Sequence, residues 1–137
     1  MERLAERLAI AGQALGTLQE LAGKQKVTKV ERDAAIQRFE YSVEATWKAV
    51  QLYLREREGL DPGSPKGVVR ASHQIGALSE DDAKLALEMI DDRNRTVHMY
   101  NEALAEAMYG RIHHYARLME KWLEAVARRS DAPERQR

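Results

Sequence analysis

"TKVERDAAIQRFEYSVEATWKAVQLYLRERE" (residues 28–58) sets the scale of the fold. Thr28 and Glu31 have the T-x-x-E spacing of a capping box, in which hydroxyl and carboxylate each satisfy a backbone N–H that the first helical turn leaves unpaired. From there Ile36, Phe39, Val43, Trp47, Val50 and Leu54 recur at the alternating spacing that puts side chains on one face of a helix. The pattern predicts a helix to roughly residue 58, which at about 1.5 Å per residue is about 45 Å long and sets the height of the domain. A polar stripe runs beside it through Asp33, Gln37, Glu40, Tyr41, Glu44 and Lys48. Read alone, that stripe is solvated, with Glu44 and Lys48 paired at i,i+4.

The flanking segments follow the same grammar. Upstream, Leu4, Leu8, Ala11, Leu15 and Leu18 predict a helix over 2–21, ended by Gly23. Its polar face mixes both charge signs, which fits a packed helix better than a membrane-surface one. Downstream, "GLDPGSP" (59–65) is the clearest break, with Ser64 as N-cap and Pro65 at the first position of a short helix over 65–75. Gly76 stops that helix, and Ser79, with Asp82 three residues on, caps the next.

The helical signal from Glu80 runs on to Arg128, yet one helix of that length would be about 70 Å, far taller than the domain. It must break. Gly110 is one candidate, but Asn101 is favoured as an N-cap followed by Glu102, because a helix over 102–128 matches the second helix in length. Ile112, Tyr115, Met119, Trp122 and Val126 give this last helix its buried stripe, and residues 129–137 read as a flexible polar tail on a single domain of 1–128.

Composition bounds the function. The 137 residues suit one domain, and the abundance of Ala, Leu, Glu, Lys and Arg with three prolines makes it all-α. No cysteine is present, which excludes disulfides and thiolate zinc and points to the cytoplasm. Neither a signal peptide nor a membrane span is expected from "MERLAERLAI", which carries charge every few residues. Twenty-two acids balance twenty-two Lys and Arg, so no broad basic surface draws nucleic acid, and any RNA contact needs a local pocket or a dimer cleft. Residues 79–110 hold eight acids against Lys84, Arg93 and Arg95, and Asp91 and Asp92 stand next to the arginine. Such a segment is poor at attracting a polyanion.

One motif does not fit the packing grammar: "DRNRTVHMYNE" (92–102). On helix geometry Leu87, Ile90, Val97, Leu104 and Met108 share a stripe that Asn94 and Asn101 complete, so two amides sit where leucines would pack. A buried amide without partners costs about 1–3 kcal/mol, so these must be bonded, cap a break or face a polar interface. Arg93 and His98 lie about 140° apart on an ideal helix and converge only through a kink or a second copy of the chain, whereas Arg93, Thr96 and Tyr100 share a face. His113 and His114, adjacent and about 100° apart, read as surface residues rather than metal ligands, and His73 as structural. No metal site is expected. Trp47 and Trp122 sit on core stripes, and the chain lacks the Gly-rich phosphate loop and the nucleophile elbow.

The string R-N-R-T-V-H-M-Y (93–100) resembles the R-x-x-x-x-H-x-Y signature of HEPN domains, small helical proteins of prokaryotic toxin–antitoxin pairs. With "RDAAIQRFEYSVEATWKAVQLYL" (32–54), "SPKGVVRASHQIGAL" (64–78) and "LEMIDDRNRTVHMYNEALAEAMYGRI" (87–112), the chain resembles the nucleotidyltransferase substrate-binding protein family over about residues 5–125. The resemblance implies an up-and-down four-helix bundle with an additional short helix, a homodimer, and a minimal nucleotidyltransferase as a separate partner chain. It further implies metal-independent RNA cleavage with no cofactor. Arg93 would bind the transition-state phosphate, His98 would exchange protons, and Asn94 would orient substrate. Tyr100 would be the tyrosine that the partner adenylylates, and Arg95 and Asn101 would contact substrate or partner. The alternative is a non-catalytic subunit that presents a substrate or nucleotide to the partner enzyme.

Overall fold

A computed structural model describes residues 2–96 and 101–131. Among the described residues five α-helices follow in chain order: α1 (Glu2–Gln19), α2 (Lys29–Tyr53), α3 (Pro65–Gln74), α4 (Glu80–Arg95) and α5 (Glu102–Asp131). A π-helical turn, Leu54–Glu58, prolongs α2 beyond the last residue of its apolar stripe. Gly59 then takes a left-handed φ of 70°, a conformation that costs glycine nothing, and its N–H closes the turn on the Leu54 carbonyl.

The caps stand where the residue types put them. Thr28 and Glu31 form the full capping box. The Lys24 ammonium and the capped backbone hold the Glu31 carboxyl down at about 2. Ser64 caps α3 with Pro65 behind it, Gly76 follows α3 at a φ of 83°, and Ser79 caps α4 by accepting from the Asp82 N–H.

The long helices α1, α2, α4 and α5 form an up-and-down four-helix bundle, and α3 lies across α4 and the end of α2. Tertiary bonds give the helix directions. Glu40 and Glu44 of α2 meet Thr96 and Arg93 at the far end of α4, so those two helices are antiparallel. Arg32 near the start of α2 meets Glu102 at the start of α5, and Glu58 lies 3.7 Å from Arg129, so α2 and α5 are parallel. The core is built from Leu4, Leu15 and Leu18 of α1, Phe39, Val43 and Val50 of α2, Met89 and Ile90 of α4, and Met108, Ile112, Tyr115 and Trp122 of α5. Trp122 is buried with its indole N–H on Ser72 Oγ at 3.1 Å, which fastens α3 to α5.

The chain breaks near the predicted place. α4 ends at Arg95, Thr96 continues as a 3₁₀ residue, and α5 begins after Asn101, whose Oδ1 accepts from the Ala103 and Leu104 N–H groups at 2.8 and 3.3 Å. This break corrects one expectation. The sequence pattern puts Leu104 on a buried stripe continuous with Leu87 and Ile90, but it is 54% exposed. The break resets the helical phase, and the buried face of α5 starts instead at Ala105 and Met108. α5 also continues to Asp131, past the expected start of a tail at 129, with Arg129 Nη2 donating to the Ile75 carbonyl at 2.7 Å. Of the tail, residues 132–137 lie outside the described residues. No helix among the described residues is long and apolar enough to cross a membrane.

One buried carboxylate holds the break in place. Asp92, 2% exposed, sits on the last turns of α4 and accepts from Arg111 Nε and Nη2 of α5 at 2.8 and 3.1 Å, from the Tyr115 hydroxyl at 2.5 Å and from Arg95 Nη1 at 2.7 Å. Burial pushes its pKa up, but the Arg111, Tyr115 and Arg95 donors outweigh burial and hold it below the usual carboxylate range. Tyr115 moves the other way, raised by burial and by the adjacent Asp92. The neighbouring Asp91 pairs outward with Lys66 at 2.7 Å. Each acid before Arg93 thus has a cation beside it, Asp92 inside the fold and Asp91 at the surface, which lessens the local repulsion that their sequence position suggested.

Asp92→Ala is expected to cost about 3 kcal/mol of unfolding free energy, near the low end for a broken buried pair because Arg111 and Arg95 can regain water. Tyr115→Phe should cost about 1 kcal/mol; urea denaturation measures both. A depressed pKa in the fold means that Asp92's contribution is complete above its unfolded pKa of about 3.9 and is lost as pH falls through the folded value. Parent stability should therefore fall more steeply below about pH 4 than that of Asp92→Asn.

Candidate functional site

The end of α4 delivers Arg93 to the polar stripe of α2. Its Nη2 lies 3.4 Å from Glu44 Oε2, and the side chain is 33% exposed. Glu44 is held by α2 itself: Trp47 Nε1 donates to Oε2 at 3.1 Å, and Lys48 Nζ lies 3.2 Å from Oε1. Burial raises the Glu44 pKa, but the Trp47, Lys48 and Arg93 donors more than offset this, and the group sits below the ordinary carboxylate range. At neutral pH it is an anion with an indole donor and two cations beside it, drawn from two helices.

Arg93 keeps capacity beyond that contact. A guanidinium has five N–H donors, and a carboxylate whose nearest oxygen is 3.4 Å away engages few of them. Its Nε is buried and has no hydrogen-bond partner among the described residues. Such an unpaired donor costs about 1–3 kcal/mol. With the side chain 33% exposed, the part of the guanidinium that a phosphate oxyanion could reach is the Nη end rather than the buried Nε.

Thr96 locks the same corner. Its hydroxyl lies 2.5 Å from Glu40 Oε2 and 2.7 Å from the Arg93 carbonyl, so one side chain both caps α4 and ties it to α2. Glu40 and Glu44, one helical turn apart, therefore receive the last turn of α4 through Thr96 and Arg93. Next to this corner is a groove of about 470 Å³ between α2 and the start of α5, lined among others by Gln37, Glu40, Thr96 and Asn101. Arg32 borders it with no charge to spare. It is 4% exposed, with its guanidinium on Glu102 at 2.9 and 3.3 Å and on Asp33 at 2.9 and 3.1 Å, and these partners raise its pKa.

The other motif residues divide plainly. Asn94 is exposed on α4, so it does not occupy a core position. Arg95, with 65% of its side chain exposed, turns back onto Asp92, and Asn101 is committed to the N-cap of α5. His98 and Tyr100 lie in 97–100, outside the described residues. The alignment of Arg93 with Tyr100 assumes a continuous helix, and α4 ends at Arg95. Among the remaining candidates, His113 is half-buried and His114 exposed on α5, their rings 3.8 Å apart between centroids. His73 Nδ1 is 3.1 Å from the Leu78 carbonyl at the end of α3.

Sequence reasoning missed three residues that shape this corner. Glu44 reads as half of a solvent-exposed i,i+4 pair; the pair exists, but the carboxylate also holds Arg93. Trp47 three residues on is the signal, since an indole N–H seeks an acceptor and one at i+3 can fix a carboxylate. Asp92 and Arg32 look like ordinary surface charges, because the partners that bury them lie 19 and 70 residues away.

Known proteins sort the fold clearly. Residues 6–128 match the family described as nucleotidyltransferase substrate binding protein like. A crystal structure of a protein from Thermus thermophilus is 57% identical, with a TM-score of 0.83 over 85% of this chain and 98% of that one. At 11% identity, a chain from a crystal structure of a mutant MntA-HpeT toxin–antitoxin superposes with a TM-score of 0.78 over 93% of this chain and 99% of its own. A chain from the structure of the tri-AMPylated Shewanella oneidensis HEPN toxin in complex with MNT antitoxin does so at 0.74 and 16% identity, over 91% and 96%. Among proteins of curated function, none matches. The chain belongs to the nucleotidyltransferase substrate-binding protein-like family, and its bundle is the fold seen in chains of HEPN toxin–antitoxin complexes.

Proposed function

We propose that this chain is the HEPN-type subunit of a two-protein toxin–antitoxin module, a metal-independent ribonuclease that a separate minimal nucleotidyltransferase restrains by adenylylating Tyr100. The observation that carries the reading is Arg93: an arginine with spare donors, held at the exposed end of α4 immediately before the segment that contains His98 and Tyr100. The likeness in fold to chains of complexes named for a HEPN toxin and its MNT antitoxin, over nine-tenths of the chain, supports the partnership.

In this reading the reaction is transfer within RNA. A 2′-oxygen attacks the adjacent phosphorus, the bond from phosphorus to the 5′-oxygen breaks, and charge accumulates on the non-bridging oxygens. Arg93 bonds those oxygens, where a guanidinium fork gains most as the charge grows. His98 takes the proton from the 2′-hydroxyl or returns one to the leaving oxygen, and Asn94, exposed beside Arg93, orients the strand. Two copies of the chain place their motifs along one cleft, which gives an electrically neutral protein the local RNA contact that its net charge denies it. An adenylyl group on Tyr100, seven residues after Arg93 in the chain, adds bulk and negative charge to the motif and competes with the RNA phosphate.

Expression of the chain alone should arrest growth of a bacterial host, and Arg93→Ala and His98→Ala, matched for folded protein, should each relieve the arrest. Equal, unimpaired growth with all three would instead favour a non-catalytic subunit that presents substrate to the nucleotidyltransferase. Incubation with the partner and ATP should add adenylyl mass to the parent, located at Tyr100 by peptide mass spectrometry. Tyr100→Phe should remain unmodified there and should stay toxic when the partner is co-expressed.

A further inference from the structure

We infer that Glu44 is the positioning residue of Arg93, an anion built into α2 that aims the guanidinium at a phosphate rather than one that blocks it. The inference rests on the proposed role of Arg93 and adds a residue of α2, 49 positions upstream in sequence, to the motif's working parts.

The alternatives for such a carboxylate are three: a chance surface pair, an internal anion that competes with substrate, or a fixed anchor. The geometry points to the anchor. A chance pair leaves both side chains mobile, whereas Glu44 is held on both oxygens by its own helix, Oε2 by the Trp47 indole and Oε1 by the Lys48 ammonium. Neither contact involves Arg93, so the carboxylate has supports of its own on α2. An efficient competitor would grip the guanidinium with two short, parallel bonds, as arginine and carboxylate do where they are each other's main partner. Here the nearest approach is 3.4 Å, from Nη2 to Oε2, with no short hydrogen bond between the two, and that oxygen is already engaged by Trp47.

Arg93 has little else to hold it. Its Nε is buried without a partner among the described residues, and its backbone stands on the last turn of α4, where the Thr96 hydroxyl caps the carbonyl but leaves the side chain alone. An arginine in this setting loses rotamer freedom through Glu44, and a phosphate then meets a guanidinium already in place. Lys48 serves the same end by compensating the charge of Glu44, so the cluster Glu44–Lys48–Arg93 carries one net positive charge toward an incoming anion.

The two functional alternatives differ in sign. Removing a competing anion tightens RNA binding; removing an anchor weakens it. The test is fluorescence anisotropy of a fluorescein-labelled, uncleavable 2′-O-methyl RNA oligonucleotide with the full chain and with Arg93→Ala, Glu44→Ala, Glu44→Gln and Glu44→Ala/Arg93→Ala. Glu44→Ala should weaken binding by about three- to tenfold, the scale of one hydrogen bond's positioning. Glu44→Gln, which keeps an oxygen acceptor beside Arg93 and Trp47 but not the charge, should recover part of the loss, a rescue that general loss of structure would not produce. In the Arg93→Ala background, Glu44→Ala should add nothing. Binding by Glu44→Ala as tight as the parent or tighter, or an equal loss with and without Arg93, overturns the inference while leaving Arg93's role standing. If Arg93→Ala itself binds RNA like the parent, the functional reading fails and the inference falls with it.

Discussion

Asp92 is where the bundle and the motif meet. A carboxylate that is 2% exposed is tolerable only if its charge is answered, and this one is answered from two helices by Arg111, Tyr115 and Arg95. Because Asp92 precedes Arg93 in the chain, fixing one fixes the backbone of the other. The break after α4 thus has a firm shoulder: Asp92 fastens it to α5 on one side, and Thr96 and Arg93 fasten it to Glu40 and Glu44 of α2 on the other. Asn101 then restarts the helix with its own cap. The positions from 92 to 96 hold an internal anchor, a surface cation and a cap in turn, and the helical spacing sends them to different neighbours.

α2 is the other organising element. One face supplies Phe39, Val43 and Val50 to the core, while the stripe beside it carries Glu40 and Glu44 to the end of α4. Packing and polar geometry are therefore coupled through one rigid rod. A shift of α2 by a single turn, about 5.4 Å, would move Glu44 away from Arg93 as well as opening the core. Placing the receiving carboxylates on a helix of 25 residues gives the motif arginine a stiffer reference than a loop could.

The fold is largely legible in the sequence because its determinants are local. The capping box at Thr28, the Ser64–Pro65 start, the Ser79 cap and the Asn101 cap all act within three residues, and the apolar stripes act within one helix. Comparing the lengths of two helices is enough to put the break at residue 101, with no contact information. Leu104 fails for an instructive reason: a stripe counted through a break carries the wrong phase. The site is legible only in part. The motif draws attention to Arg93 and the resemblance gives it a role, but Glu44, Asp92, Arg111 and Arg32 are defined by pairings across 19 to 70 residues, and charge in a sequence does not reveal whether its partner is water or another helix. Asp91 and Asp92 make the point sharply, since the sequence shows two adjacent acids and not the Lys66 and Arg111 that pair with them.

The account stands on Asp92 being an ion inside the fold. The most direct measurement is the titration of its side-chain carboxyl ¹³C shift by NMR in the folded chain, assigned with Asp92→Asn. The midpoint is expected below the ordinary aspartate value of about 3.9, because the Arg111, Tyr115 and Arg95 donors outweigh burial. A midpoint above that value would mean that burial wins, that the group titrates toward a neutral acid in the fold, and that the end of α4 is held by something other than this charge.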